Sequence, residues 1–117
     1  MANSNPAAID ADTIAALQEE GSLLRELRDL FVAEAAEQLN KMLEAHKQGD
    51  AHGIAVAAHR LKGSAVTFGA AEMQRRCLEL EALAKSNSTA GVDSLIAELS
   101  AECERVRLSL DAALDHS

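Results

Sequence analysis

The stretch AHRLKGSAVTFGA, residues 58–70, has the apolar spacing of an amphipathic helix but also carries residues that such a helix does not need. Its apolar residues recur at steps of three and four, which places them on one helix face: Ala58, Leu61, Ala65 and Phe68. Gly63 stands in the middle of this helix, where glycine costs about 1 kcal/mol relative to alanine. A glycine at this position therefore suggests a requirement other than helix stability.

The same spacing continues on both sides of this stretch and predicts an all-α fold. A short helix is predicted over about residues 10–20, and four long helices over about 21–47, 51–68, 70–86 and 92–113. Gly49 suits a left-handed residue after a helix, Asp50 suits an N-cap, and Gly69 suits the end of the third helix. Short connections between long helices predict an antiparallel four-helix bundle with a short additional N-terminal helix.

Length and composition limit the function classes that this chain can belong to. The 117 residues predict a single domain over residues 10–117, preceded by a loosely ordered segment over residues 1–9. A net charge of −8 argues against nucleic acid or an anionic membrane as the partner, since both attract positive proteins. Cys77 and Cys103 fall within apolar helical patterns, where a thiol behaves as a small buried hydrophobe.

The helix that contains His59 has an unusual outer face. At about 100° per residue, His59 lies roughly 140° from the mean direction of the core residues, so its side chain is predicted to face solvent. The same outer sector holds mostly small or apolar residues, namely His52, Ala55, Gly63 and Val66. Lys62 lies at one edge of this sector and Val56 at the other. A solvated helix face normally carries charged residues, so this one is predicted to be covered by a partner.

Three residues on this face, His59, Lys62 and Gly63, are spaced in a way that suits phosphoryl chemistry. His59 and Gly63 are four residues apart and are therefore neighbours on the surface, so the missing side chain at position 63 leaves the imidazole unobstructed. Lys62 is three residues from His59, which lets its ammonium group reach an anion carried on the ring. A nucleophilic, titratable ring with a cation beside it and open space in front can accept and release a phosphoryl group.

These residues also resemble a known family. AHRLKGSAVTFGA followed by CLELE is similar to the signature of the histidine-containing phosphotransfer (HPt) domain of two-component phosphorelays: a histidine, two residues, Lys-Gly, five residues and a glycine. The likeness extends from LFVAEAAEQLNKM, residues 30–42, to Glu81, and so covers most of the chain. Arg60 and Thr67 stand at positions that vary in this family.

The resemblance implies a fold and a set of roles. It implies a four-helix bundle whose exposed histidine accepts a phosphoryl group from the aspartate of one receiver domain and passes it to another. His59 resembles the phosphoacceptor, Lys62 the phosphate-stabilising cation and Gly63 the glycine that allows close approach, while Gly69 resembles the glycine that ends the histidine helix. The residues expected to contact the partner are His52, Ala55, Val56, Arg60 and Val66.

Partners and location follow as further expectations. The chain shows no glycine-rich phosphate loop and no Asp/Asn cluster for Mg²⁺, so we expect no kinase activity and no cofactor of its own. The resemblance assigns Mg²⁺ to the receiver partner and implies a hybrid sensor kinase as a second partner. We expect a cytoplasmic protein, since no apolar run is long enough to cross a membrane, and a monomer. The starting Met and an end just after the last helix favour a free-standing protein, but a segment of a hybrid kinase stays open as the alternative.

Two alternatives compete with the phosphotransfer hypothesis. A metal site built from His46, His52 and His59 is disfavoured because their spacings of six and seven residues are not the three or four that helical metal sites use. A purely structural adaptor would bind a receiver or another partner through the same helix face without phosphoryl chemistry. Such an adaptor would not require His59, so replacing that residue distinguishes the two hypotheses.

Overall fold

The computed structural model describes residues 7–88 and 90–115, which form five α-helices. The helices, in chain order, are α1 (Ala11–Gln18), α2 (Gly21–Lys47), α3 (Ala51–Thr67), α4 (Ala71–Lys85) and α5 (Val92–Asp115). Their number, order and bounds agree with the prediction to within a few residues at each end. The all-α fold class is therefore confirmed.

The four long helices form an antiparallel bundle in which each packs against the next. Helix α3 lies between α2 and α4, and α5 closes the ring by packing against both α4 and α2. Short connections turn the chain back on itself between consecutive helices, which is the usual arrangement of an up-and-down bundle. The short α1 packs against α2 and α5. Helix α3 is thus held on two sides and keeps one face toward solvent.

The turn between α2 and α3 fixes where α3 begins. Gly49 has a φ of +69°, a left-handed conformation that costs glycine little because it has no Cβ. The Asp50 carboxylate accepts a hydrogen bond of 2.9 Å from the backbone N–H of Gly53 and so caps the first turn of α3. Both residues have the roles that the sequence predicts.

The other end of α3 is fixed by packing and by a second left-handed glycine. Gly69 has a φ of +60°, and the next residue, Ala70, donates its backbone N–H to the Ala65 carbonyl at 2.8 Å. The ring of Phe68 packs edge-on against Phe31 of α2, with ring centroids 5.6 Å apart. These contacts set the position of α3 along the bundle axis, and therefore also the position of His59 along that axis.

The N-terminal segment requires a correction. The sequence predicts loose order over residues 1–9, but within its described part Ala8 and Ile9 are only 5% and 2% exposed and belong to the core. The backbone N–H of Asp10 donates to the Gly69 carbonyl at 3.3 Å, which ties this segment to the end of α3. Ile9 buries an apolar side chain at the end of the bundle, and composition alone does not reveal that contact.

Both cysteines have the predicted packing role. Cys77 of α4 and Cys103 of α5 are free and buried. Burial raises the pKa of each thiol to about 12, because the low-dielectric interior disfavours the thiolate. The two side chains are therefore protonated near neutral pH and contribute to the core as small apolar groups.

Candidate functional site

His59 lies on the solvent side of α3. Its neighbours Ala58 and Leu61 are fully buried, so the helix is fixed with its apolar face against α2 and α4. The His59 side chain keeps 67% of its surface exposed, as the helical spacing predicts. Its ring can therefore be reached by another molecule without any change in the bundle.

A buried carboxylate from α4 holds the imidazole. Glu81 has only 9% of its side chain exposed, and its Oε2 lies 3.1 Å from His59 Nδ1. Its other oxygen, Oε1, accepts a hydrogen bond of 2.9 Å from Lys62 Nζ. One carboxylate thus binds both the histidine and the lysine that the sequence singles out, which lie three residues apart on α3.

The electrostatics of Glu81 determine which ring nitrogen of His59 is available. Burial alone raises the pKa of the Glu81 carboxyl, but the hydrogen bonds from Lys62 and His59 outweigh burial and hold that pKa below its ordinary value. Glu81 is therefore ionised near neutral pH and can only accept hydrogen bonds. His59 Nδ1 must then carry the proton, which leaves the lone pair on Nε2.

Lys62 is more enclosed than a surface lysine. Its side chain is 22% exposed, and its ammonium group is engaged with Glu81. A second lysine, Lys85 of α4, lies 3.8 Å from Glu81 Oε2 and is 71% exposed. The ammonium of Lys62 is therefore held near the imidazole through the shared carboxylate, while Lys85 remains largely in solvent.

Gly63 faces open space. A Cβ built at this residue would meet no atom within 4 Å outside its own helix backbone and chain neighbours, and the residue is exposed. Packing inside the chain therefore does not require glycine here. The surface beside His59 stays free of side-chain atoms on this side, as the sequence predicts.

Four of the five residues expected to contact a partner lie together. A shallow groove between α3 and α4 runs beside His59 and is lined in part by His52, Ala55, Val56 and Arg60. Val66 lies one turn beyond Lys62, toward the other end of α3, and is 59% exposed. The exposed face of α3 therefore extends on both sides of His59, with the groove on one side and Val66 on the other.

Glu81 is the site residue to which the sequence analysis gives no role. A signal for it was present in the sequence: it lies four residues after Cys77 and one after Leu80, in the buried part of the α4 pattern. Ionised carboxylates are almost never buried unless they are paired. A glutamate at a core position could therefore have been interpreted as the partner of the nearby cationic or titratable groups on α3.

Two of the three histidines of the metal-site alternative pair with different carboxylates. His46 Nε2 lies 2.7 Å from Asp93 Oδ1, and His59 pairs with Glu81. Within residues 7–88 and 90–115, no group of three or more His, Cys, Asp or Glu side chains is arranged to hold a metal ion.

Among the helices of these described residues, none has the length and apolar character needed to cross a bilayer.

Comparisons with known proteins agree with this geometry. The Hpt domain family model matches residues 26–109, which is most of the chain. The crystal structure of histidine-containing phosphotransfer protein B (HptB) from Pseudomonas aeruginosa PAO1 superposes with a TM-score of 0.85 at 28% identity, over 97% of this chain and 99% of that one. This protein belongs to the Hpt domain family, and its function is histidine phosphotransfer in a two-component phosphorelay.

Two curated relatives are much longer proteins. The virulence sensor proteins BvgS of Bordetella parapertussis and Bordetella bronchiseptica are each 28% identical to this chain over 116 residues. The match covers 97% of this chain but only 9% of each relative. The chain therefore spans about a tenth of the length of the curated relatives that it matches.

Proposed function

We propose that His59 is the residue that carries the phosphoryl group, and that it does so on Nε2. The observation that carries the proposal is the hydrogen bond between Nδ1 and the buried carboxylate of Glu81, which directs the unprotonated nitrogen outward. In the accepting step the Nε2 lone pair attacks the phosphorus of an aspartyl phosphate on a receiver domain. The bond between phosphorus and the aspartate oxygen breaks, and its electron pair leaves with the carboxylate.

Glu81 stabilises the charge that develops in this step. The ring keeps its Nδ1 proton while Nε2 forms a new bond, so the imidazole becomes positively charged. A fixed, ionised carboxylate 3.1 Å from Nδ1 is preorganised to stabilise that charge. In the reverse sense, an aspartate oxygen of a second receiver attacks the phosphorus, and the N–P bond returns its electron pair to Nε2.

Several finer features belong to the same proposal. The chain has no kinase activity of its own and no cofactor, and the receiver supplies the Mg²⁺ that neutralises phosphate charge during transfer. A hybrid sensor kinase is the second partner, and the chain acts as a monomer in the cytoplasm. The absence of a glycine-rich phosphate loop from the sequence supports the lack of kinase activity, and the match to part of two sensor proteins supports a sensor protein as a partner.

Transfer from a labelled receiver tests the proposal directly. Each purified receiver domain of the same genome is phosphorylated on aspartate and mixed with this protein, and the label is followed on both proteins. At least one receiver should lose label while this chain gains it in a form that survives base but not acid, because protonating the ring lets nitrogen-linked phosphate leave. Label on Ser or Thr, or label that survives brief acid, would contradict the proposal.

Replacing Lys62 by alanine should slow transfer about tenfold without unfolding the bundle. Alanine is a good helix former, so helix content should be unchanged. The loss removes a charge-assisted contact worth roughly 1.5 to 3 kcal/mol at most, and less where solvent screens it. The rate of label transfer and the lifetime of the phosphohistidine measure the effect. Lys47→Ala is the control, because Lys47 is exposed at the end of α2 and lines neither groove beside α3. Equal rates for the two variants would show that Lys62 has no role in transfer.

Replacing Glu81 by glutamine should slow transfer by at least about tenfold, since removing one preorganised electrostatic contact typically costs this much or more. The glutamine amide is uncharged and can also donate to Nδ1, which would favour the wrong tautomer. Nitrogen NMR of the His59 ring should show Nδ1 protonated in the native protein and a mixture of tautomers in the variant. Glu79→Gln, on the exposed side of α4, is the control. A native rate with an unchanged tautomer would remove Glu81 from the mechanism.

A further inference from the structure

The distribution of charge along the chain sets α3 apart from the rest of the molecule. The sequence contains 19 Asp and Glu residues, yet residues 51–71 contain none of them. The same stretch contributes Arg60, Lys62 and two histidines. A protein with a net charge of −8 therefore presents one helix without acidic residues, and this is the helix that carries His59.

Arg60 differs from most other arginines of the chain because no carboxylate within residues 7–88 and 90–115 pairs with it. Arg75 is held by Glu72 and Glu79, and Arg107 by Glu104 and Asp111. The other arginines held by acidic residues are Arg28, Arg76 and Arg105. Within the described residues the exposed guanidinium of Arg60 makes no hydrogen bond or ion pair. Pairing Arg60 with a partner would therefore break no internal ion pair.

Arg60 also lies where a docking protein would meet it. It lines the groove between α3 and α4 beside His59, and it lines a second groove between α2 and α3 that includes Gln38 and Lys41. His52 and Val56 border both grooves as well. Arg60 thus lies on the ridge between two depressions, directly after the phosphoacceptor in sequence. A protein that covers His59 from this side must also cover Arg60.

We propose that Arg60 pairs with a carboxylate on the surface of the docking receiver domain, distinct from the aspartate that exchanges the phosphoryl group, and so selects which receivers bind. The proposal rests on the proposed phosphotransfer function. A guanidinium forms two parallel hydrogen bonds to a carboxylate, which gives geometric specificity as well as attraction. The negative charge on the rest of the molecule repels an acidic partner, so such a partner is favoured at α3, which contains no acidic residue, although Glu44 and Asp50 line the groove on the α2 side of Arg60.

The test compares three variants with every receiver that exchanges label with the native protein. Arg60→Glu should raise the receiver concentration needed for half-maximal transfer by about 100-fold, because like charges then face each other, while the rate at saturation stays near the native value. Arg60→Lys should show a smaller rise, since an ammonium group cannot make the paired contact. Arg25→Glu is the matched control: Arg25 is exposed and also makes no hydrogen bond or ion pair within the described residues, but it lies about 20 Å from Gln38 along the axis of α2.

A compensating substitution identifies the partner residue. Each acidic surface residue of the receiver other than its phosphoacceptor is changed to arginine, and one of these changes should restore transfer with Arg60→Glu. Equal receiver concentrations for half-maximal transfer with Arg60→Glu and Arg25→Glu would contradict the proposed role of Arg60. If the native protein still transfers label, the phosphotransfer function is unaffected by that result. A native protein that takes label from no receiver would overturn the proposed function and this inference together. Circular dichroism confirms that each variant is folded.

Discussion

Replacing His59 by glutamine is expected to abolish transfer of label from a phosphorylated receiver domain to this protein. Glutamine keeps a polar side chain of similar reach but has no ring nitrogen with a nucleophilic lone pair. The His59 side chain is 67% exposed and its loss leaves the core untouched, so the bundle should stay folded. Label transfer measured by gel and folding measured by circular dichroism give the two readouts.

The other histidines serve as controls for this experiment. His46→Gln should accept label as the native protein does, and His52→Gln, at a residue expected to contact the partner, should still carry its label on His59, because neither removes the ring held by Glu81. His116 is also expected to remain unlabelled, although it lies outside the residues that the structure describes. Label on the His59→Gln protein would contradict the assignment of the phosphoacceptor. An intact signalling output in cells that carry His59→Gln would instead favour the adaptor alternative.

Replacing Gly63 by leucine is expected to lower transfer by two orders of magnitude or more while leaving the fold intact. A Cβ at position 63 would meet no atom within 4 Å outside its own helix backbone and chain neighbours, and the helix propensity of leucine should stabilise the fold by up to about 1 kcal/mol. The isobutyl group would stand one turn from the imidazole, where an aspartyl phosphate must approach Nε2. Displacing the reacting atoms by about 1 Å can cost about 100-fold.

The two explanations of Gly63 are separated by measuring stability and transfer together. Thermal unfolding should show a bundle at least as stable as the native one, and the transfer assay should show the loss. Gly63→Ala should give a smaller loss, and Gly21→Leu should give none, because Gly21 is also open to solvent but lies at the start of α2. A stable Gly63→Leu protein that transfers at the native rate would show that glycine is merely tolerated at this position.

The contact between α3 and α4 at Glu81 could not be predicted from helical spacing. Helical spacing correctly separates the buried Leu61 from the exposed His59, because a single helix has a fixed period of about 3.6 residues. Glu81 follows His59 by 22 positions and belongs to another helix. No helical period relates the two residues, so only the packing of α4 against α3 brings them within 3.1 Å.

Packing also decides details that periodicity gives only roughly. On α2 the structure buries Gln38, a polar residue that an apolar period does not select, and it pairs His46 with Asp93 of α5. A long helix can present any of several neighbouring stripes to its partners, and the neighbours that pack against it determine which stripe is buried. The apolar spacing therefore predicts the buried face of α2 to within about one residue.

The helices, their ends and the exposure of His59 could be predicted from the sequence, because each depends on residues near one another in the chain. Gly49, Asp50 and Gly69 specify local backbone conformations and caps, and the apolar period specifies which side of α3 is buried. The tertiary structure alone decided that Glu81 binds His59 Nδ1 and Lys62 Nζ, and that Arg60 lies on a ridge between two grooves. These features join separate helices, and their geometry exists only after burial of the common core has fixed the helices against one another.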